Sequence, residues 1–197
     1  MFVTFEGLDG SGKSTQAELL RAHLVGRGRD VVATREPGGT PVGERIRELL
    51  LSGPDMAAWT EAALFAAARA ELTERIIRPA LERGADVICD RYLDSSLAYQ
   101  GLARGLGLER VLELNRALIG DLLPDRTFVL LVDPEIAARR LADEPDRIER
   151  EGDDFREAIV AAYRELAEMF PDRVRALDGS LPAEELAGQV RTELGDV

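Results

Sequence analysis

Short apolar runs alternate with amphipathic stretches along this chain. Runs rich in β-branched and aromatic residues predict five strands, at residues 2–5, 30–34, 85–89, 128–132 and 174–177. Apolar residues at helical spacing predict helices between them, the clearest at 17–25, 42–51, 57–81 and 182–194. Strands that alternate with helices are typical of a parallel sheet covered on both faces. The pattern therefore predicts a single α/β domain over residues 1–197, with a five-stranded parallel sheet flanked by helices in three layers.

Charge and composition narrow the class of partner. The chain has 25 basic and 37 acidic residues, a net charge of −12, and surfaces that bind nucleic-acid polymers are usually basic. A single nucleotide needs only a local cluster of cations and is not excluded. No apolar run approaches the roughly 20 residues that span a bilayer, and the single cysteine, Cys89, cannot form an internal disulfide. We expect a cytoplasmic protein with no membrane and no nucleic-acid polymer as partner.

A phosphate-binding motif follows the first predicted strand directly. Gly7, Gly12, Lys13 and Ser14 have the spacing of a P-loop, in which glycines let backbone N–H groups curl around phosphate oxygens. Lys13 is the only lysine, which marks a place where the planar fork of arginine does not fit. We predict that Lys13 contacts the β- and γ-phosphates of ATP and Ser14 a Mg²⁺ ion. The predicted ATP-binding residues are Gly7, Leu8, Asp9, Gly10, Ser11, Gly12, Lys13, Ser14 and Thr15.

Two predicted strands end in an aspartate at the edge of the sheet where ligands bind in open α/β folds. Asp90 precedes Arg91, which places a carboxylate for Mg²⁺ beside a cation for phosphate. Asp133 precedes Pro134 and a predicted helix, so it has the position of an N-cap. We therefore prefer Asp90 as the functional acid.

The acceptor of the phosphoryl group has a weaker signal. Phe65 and Arg69 are four residues apart in the predicted helix 57–81, so they share one face. A base stacked on Phe65 can present its edge or its phosphate to Arg69. The alternative is a core aromatic residue next to a solvated arginine.

A second pair of polar residues has the same spacing. Ser96 and Gln100 are four apart in a segment with more polar groups than a buried helix needs, and both can face a base edge. The alternative is a helical turn capped by Asp94 or Ser95.

Several blocks together resemble one known family. They are residues 5–7 before the P-loop, 34–40 (Thr-Arg-Glu-Pro-Gly-Gly-Thr), 64–69, 90–92 (Asp-Arg-Tyr), 95–101 and 146–149 (Asp-Arg-Ile-Glu). In this order around a P-loop they are similar to bacterial thymidylate kinases along nearly the whole chain. The resemblance implies a P-loop kinase that transfers the γ-phosphoryl group of ATP to dTMP, giving dTDP and ADP, with Mg²⁺. It also implies a homodimer formed through helices that include residues 57–81.

The resemblance further implies residue roles. Asp9 would lie near the sugar 3′-hydroxyl and the metal, Glu36 near the acceptor phosphate and its Mg²⁺, and Phe65 against thymine. The dTMP-binding residues would be Asp9, Glu36, Arg47, Phe65, Arg69, Arg91, Ser96, Tyr99 and Gln100. The metal-binding residues would be Ser14, Asp90, Asp9 and Glu36.

A dense charge run at residues 143–154 is either a solvated loop or part of a lid over about 139–153. One class of the family has an arginine within the P-loop where this chain has Gly10, so the cation for the transferring group must come from the lid. We prefer Arg147, because residues 146–149 keep the family pattern, and place Arg140 second. The predicted catalytic residues are therefore Lys13, Arg91, Arg147 and Arg140.

Two other classes of function remain open at this point. One is a kinase for another monophosphate or for a deoxynucleoside. The other is a nucleotide sensor without catalysis, or a P-loop ATPase that drives a partner. Lid arginines and an acceptor pocket discriminate these classes, because a sensor needs neither.

Overall fold

One parallel sheet is the centre of the fold in the computed structural model, which describes residues 1–141 and 146–195. Its strands are β1 (Phe2–Glu6), β2 (Val31–Arg35), β3 (Asp86–Asp90), β4 (Arg126–Leu131) and β5 (Val174–Asp178). All pairings are parallel and the strand order is β2-β3-β1-β4-β5. The predicted fold class and all five predicted strands are confirmed.

Helices cover both faces of this sheet. In the described ranges they are α1 (Lys13–Gly26), α2 (Pro41–Ser52), α3 (Ala58–Leu72), α4 (Arg78–Glu82), α5 (Leu93–Ser96), α6 (Leu108–Ile119), α7 (Pro134–Arg140), α8 (Asp153–Met169) and α9 (Ala183–Glu193). A 3₁₀ turn, Glu149–Glu151, precedes α8. None of these helices is long and apolar enough to cross a membrane.

Alternating side chains of the strands supply two separate cores. Val3 and Phe5 of β1 pack with α1 and α9 on one face, where Leu20 and Val190 are buried. Phe2, which points to the opposite face, belongs to the larger core. That core also contains buried residues from α4, α5, α6 and α8. Period-two alternation in a strand buried on both sides therefore makes three layers from one sheet.

The helix predicted over residues 57–81 is a helical stretch with a wide turn. A π-helical segment, Thr73–Ile77, separates α3 from α4, and a second one, Leu97–Ala103, follows α5. Pro79 in α4 has no N–H to donate to the preceding turn. π-Segments recur at functional sites, and the second of these contains Tyr99 and Gln100, two of the predicted acceptor residues.

The carboxyl ends of the strands lie together at one edge of the sheet. The P-loop follows β1, Glu36 follows β2, and Arg91 follows β3. Asp133 follows β4 and accepts from the backbone N–H of Glu135, so the N-cap predicted for it is confirmed. The predicted lid is described only in part, because Asp143 and Glu144 lie outside the described residues.

Candidate active site

A cavity of about 920 Å³ opens at the carboxyl edge of the sheet. The P-loop and Asp90 line one part of it, and Phe65 and Gln100 line another. Its volume is at the upper end for small-molecule sites. The cavity therefore brings the predicted donor-binding and acceptor-binding residues to one space.

The P-loop has the backbone that its glycines predict. Gly7, Gly10 and Gly12 have φ values of 136°, 80° and 97°, in the region that favours glycine. Lys13 opens α1, and its Nζ donates to the carbonyl of Leu8 at 2.8 Å. Burial, and then the nearby Arg91, lower the pKa of Lys13. A buried ammonium at a helix N-terminus is placed to bind phosphate.

Ser14 and Asp90 form the part of the site that fits a magnesium ion. The hydroxyl of Ser14 donates to Oδ2 of Asp90 at 2.5 Å, and both residues line the cavity. The described residues contain no group of three or more His, Cys, Asp or Glu side chains arranged for a metal. Two hard oxygen ligands beside a phosphate loop fit Mg²⁺, which usually keeps several waters and is shared with substrate phosphates.

Asp9 and Arg91 connect the P-loop to the end of β3. Nη2 of Arg91 donates to Oδ1 of Asp9 at 2.8 Å, and its Nη1 donates to Ser95 at 3.1 Å. Burial opposes the ionisation of Asp9, but Arg91 and then Lys13 hold its pKa well below the ordinary value. Arg91 is the only non-glycine residue with positive φ in the described ranges, at 69°. Such strain is common at functional sites.

A buried glutamate supports this pair. Glu6, the last residue of β1, accepts hydrogen bonds from the backbone N–H of Tyr92, from Ser95 and from Tyr163. Burial, and then Asp94, raise the pKa of Glu6 to about 7. Sequence reasoning missed this residue, although an acid that ends an apolar strand next to a P-loop is a visible signal.

Arg69 is buried, which excludes the alternative of a solvated arginine. It is 1% exposed and lies behind the residues that line the cavity. Its guanidinium donates to Glu36, Ser96, Asn115 and the carbonyl of Tyr92. Arg69 therefore connects Glu36, after β2, with Ser96 of α5 and Asn115 of α6.

Glu36 lies between Arg69 and the cavity. Its Oε2 accepts from Nε of Arg69 at 2.9 Å, and its buried Oε1 has no hydrogen-bond partner among the described residues. Burial raises the pKa of Glu36 to about 7, against the lowering by Arg69. A buried carboxylate oxygen that lines a cavity without a partner fits a bound ligand or ion.

The predicted acceptor side chains occupy one end of the cavity. Phe65, Tyr99, Ser96 and Gln100 line it, and Arg47 lies on its rim with Nη1 donating to the carbonyl of Pro37 at 2.9 Å. The hydroxyl oxygen of Ser96 accepts a hydrogen bond from Arg69.

The alternative of a helical turn capped by Asp94 or Ser95 is wrong. Asp94 is fully buried and binds Arg173 and Thr127, and Ser95 binds Glu6. Neither side chain caps α5, whose first turn follows Tyr92.

The two lid arginines have different surroundings. Arg147 is 5% exposed, does not line the cavity, and donates to the carbonyl of Leu50 and to Glu61. Arg140 lines the cavity and donates to the carbonyls of Gly10 and Gly179 at 3.4 and 3.1 Å. The preference for Arg147 is therefore not supported, because a buried guanidinium with carboxylate and carbonyl partners does not reach the P-loop in this arrangement.

The side of the cavity opposite the acceptor residues was not predicted. Residues 179–183, after β5, line it together with Gln16 of α1, whose Nε2 donates to the carbonyl of Ala183 at 2.8 Å. These residues form no motif in the sequence and come together only through the strand order.

Gly10 has a steric role in this arrangement. A Cβ placed on Gly10 would overlap the backbone carbonyl of Ala137 in α7. The chain therefore has no room for a side chain at the position where one class of the family has arginine.

Comparison with known proteins identifies relatives over the full chain. The family model described as thymidylate kinase matches residues 5–190. The chain is 48% identical to thymidylate kinase of Symbiobacterium thermophilum, over all of this chain and 94% of that protein. It is 51% identical to that of Alkalilimnicola ehrlichii, over 93% of this chain and 87% of that protein. The crystal structure of thymidylate kinase from Ehrlichia chaffeensis superposes with a TM-score of 0.82, at 34% identity over 98% of each chain.

Substitution at Gly10 tests its contact with α7. Gly10→Ala should lower the free energy of unfolding by about 2 kcal/mol or more, because it adds a clash to left-handed strain. Gly28→Ala is the matched control, since Gly28 has nearly the same φ (79° against 80°) and open space around its Cβ position. The measurement is urea unfolding of both variants. Equal losses would show that Gly10 is constrained by its φ alone.

The pH dependence of stability tests the environment of Glu6. Because its folded pKa is raised to about 7, the stability that its proton contributes is full below about pH 4.5 and is lost as the pH rises through 7. The wild type should lose stability relative to Glu6→Gln by up to about 1.4 kcal/mol per pH unit in this window. Glu74→Gln, at an exposed ion pair, is the control and should follow the wild type. Parallel curves for wild type and Glu6→Gln would contradict the raised pKa.

Proposed function

This chain belongs to the thymidylate kinase family, and from that premise we propose that it transfers the γ-phosphoryl group of ATP to dTMP, giving dTDP and ADP. The observation that carries the proposal is one cavity that is lined both by the P-loop and by Phe65 and Gln100. A sensor or an ATPase that drives a partner has no need of a second pocket facing the phosphate loop. The shared cavity lets two nucleotides meet phosphate to phosphate.

The donor end binds and neutralises a triphosphate. Backbone N–H groups of the P-loop and the N-terminus of α1 face the phosphates, and Lys13 supplies a compact charge to them. Ser14 and Asp90 would hold Mg²⁺, which supplies charge neutralisation on the phosphates when bound. Catalysis then rests on positioning and electrostatic stabilisation, with no covalent intermediate on the enzyme.

The acceptor end orients a pyrimidine monophosphate. In our proposal Phe65 stacks on thymine, Gln100 hydrogen-bonds to its edge, and Arg47 and Arg91 bind its phosphate. Asp9, fixed by Arg91 at 2.8 Å, is aimed at the sugar 3′-hydroxyl.

The remaining acceptor-side roles are further parts of this proposal. Tyr99 and Ser96 complete the wall beside the base. Glu36 would lie near the acceptor phosphate, and Glu36 and Asp9 would offer two further carboxylates to a metal. Arg69 serves the site by holding Glu36 and Ser96, to which it donates at 2.9 Å each.

We assign the lid cation to Arg140. It lines the cavity and donates to the carbonyl of Gly10, so it lies beside the P-loop where charge builds on the transferring group. Its two partners are neutral carbonyls, which a phosphate can displace more readily than the carboxylate that binds Arg147.

A homodimer is part of the proposal. The outer face of α3 presents the small residues Thr60, Ala63 and Ala67, and Trp59 is 36% exposed next to it. Leu118 of the neighbouring α6 is 45% exposed. This surface suits close helix packing against the same surface of a second copy. We also place the enzyme in the cytoplasm, since Cys89 is a buried thiol without a disulfide.

A phosphotransfer assay with ATP and a panel of nucleoside monophosphates tests the activity. The wild type should phosphorylate dTMP in preference to dCMP, dAMP and dGMP. Lys13→Ala should lower kcat by roughly 10²-fold or more while the protein stays folded, because the donor phosphates lose their buried cation. A folded Lys13→Ala variant with full activity would refute the P-loop assignment, and circular dichroism checks the fold.

A comparison of two alanine variants tests the lid. Arg140→Ala should lower kcat by roughly 10³-fold with little change in thermal stability. Arg147→Ala should instead lower the free energy of unfolding by about 2–3 kcal/mol, because a buried carboxylate loses a charged donor. Arg139→Ala, at an exposed pair with Glu135, is the control. If Arg147→Ala removes turnover in a folded protein and Arg140→Ala does not, the assignments are reversed.

Sedimentation tests assembly. The chain should sediment as a dimer of its 21.6 kDa unit at micromolar concentration. Ala63→Arg should shift it to a monomer, because a long charged side chain on the packed face keeps two helices apart. Glu18→Arg, at an exposed position of α1 on the opposite face of the sheet, should leave the dimer intact. A wild type that sediments as a monomer would contradict the proposed interface.

A further inference from the structure

Glu61 of α3 has an unusually complete set of hydrogen-bond donors. It is 1% exposed, and its Oε1 accepts from Nε2 of Gln100 at 2.9 Å and from Nε of Arg104 at 2.6 Å. Its Oε2 accepts from Nη2 of Arg104 at 3.0 Å and from Nη2 of Arg147 at 2.6 Å. Burial acts to raise its pKa, but hydrogen bonds from Arg104, Gln100 and Arg147 hold that pKa below its ordinary value. Glu61 is therefore a buried carboxylate, which can only accept hydrogen bonds.

Gln100 joins this carboxylate to the cavity. Its side chain is 1% exposed and lines the acceptor end of the cavity. A carboxamide has one donor end and one acceptor end, so its two orientations present donor and acceptor in opposite order. With a carboxylate as its neighbour, only the NH₂ end can face Glu61, because the flipped amide sets two oxygens against each other. The carbonyl oxygen of Gln100, on the other branch of the carboxamide, is thereby turned away from Glu61.

The direction of an amide matters for the choice of pyrimidine. Thymine presents an N3–H donor beside the O4 acceptor, whereas cytosine presents an N3 acceptor beside a 4-amino donor. A carboxamide can pair with either edge only by turning round. An amide that cannot turn is complementary to one base and leaves polar groups unpaired with the other.

We propose that Glu61 is a positioning residue that sets the preference for thymine over cytosine by fixing the direction of the Gln100 carboxamide. This inference rests on the proposed phosphorylation of dTMP. Glu61 does not touch the substrate, and it acts through Gln100. Arg104 and Arg147 neutralise the buried charge, and Arg147 also ties the lid segment to the end of α2 through the carbonyl of Leu50.

Uracil separates this role from a structural one. Its edge offers the same N3–H and O4 as thymine and lacks only the methyl group. Loss of the amide direction should therefore change the ratio of kcat/KM for dTMP to that for dCMP. It should leave the ratio for dTMP to dUMP as it is. A loss of general stability would change the activity toward all three monophosphates alike.

The experiment measures kcat/KM for dTMP, dUMP and dCMP with ATP as donor. Glu61→Gln, which can donate as well as accept, should lower the dTMP:dCMP ratio by roughly 10-fold or more and keep the dTMP:dUMP ratio within about twofold. Arg104→Ala is the matched control, because it breaks the same cluster but leaves the carboxylate facing Gln100, and it should keep both ratios. In a Gln100→Ala background, Glu61→Gln should change neither ratio, since the residue through which it acts is absent.

Equal losses for all three monophosphates in Glu61→Gln, or an unchanged dTMP:dCMP ratio, would overturn the inference. A wild type that leaves dTMP unphosphorylated would refute the proposed function instead, so the two failures are distinct. If Glu61→Gln does not fold, hydrogen exchange of the Gln100 side-chain NH₂ in the wild type is the deciding measurement. Its NMR signal is assigned by comparison with Gln100→Ala. Slow exchange supports a fixed direction of the carboxamide, and exchange as fast as in a free glutamine overturns the inference.

Discussion

The ion pair between Arg91 and Asp9 is the interaction on which the candidate active site depends, because it joins the end of β3 to the P-loop. Arg91 has a left-handed φ of 69°, a conformation that costs a non-glycine residue of order 1 kcal/mol. Its guanidinium offsets that strain by binding Asp9, Ser95 and Tyr163. Ser95 and Tyr163 in turn donate to Glu6. One connected set of contacts thus fixes the loop, the strand end and the cation in a single arrangement.

A protein with a net charge of −12 must bind two polyanions, and the site shows how this is possible. Cations at or behind the cavity are held by acceptors of the chain itself: Lys13 by a carbonyl, Arg69 by Glu36, and Arg140 by two carbonyls. Such groups are oriented before the ligand arrives, so little reorganisation is needed when it binds. These cations are local to the cavity, where screening by salt is weaker than on the open surface.

The sequence predicted the sheet and the P-loop because both depend on local signals. The period of the apolar residues distinguishes strands from helices, and the spacing of the glycines identifies a phosphate loop. The burial of Arg69 and Arg147 could not be predicted in this way, since their carboxylate partners, Glu36 and Glu61, are 33 and 86 residues away. Family pattern put Arg147 in the lid but could not show that its guanidinium faces away from the cavity. Long-range pairing decides which arginine is structural, and no local pattern contains that information.

The single lysine of the chain has a practical consequence for chemistry in solution. Lys13 is 5% exposed at the phosphate cradle, and burial lowers its pKa, which raises the fraction of neutral amine. The other primary amine of the chain, at Met1, is in an ion pair with Asp86. An acylating reagent therefore meets two distinguishable amines, one of which lies in the loop that we propose binds the donor phosphates. Mass spectrometry of a single acylated peptide then reports occupancy of the nucleotide site without any engineered label.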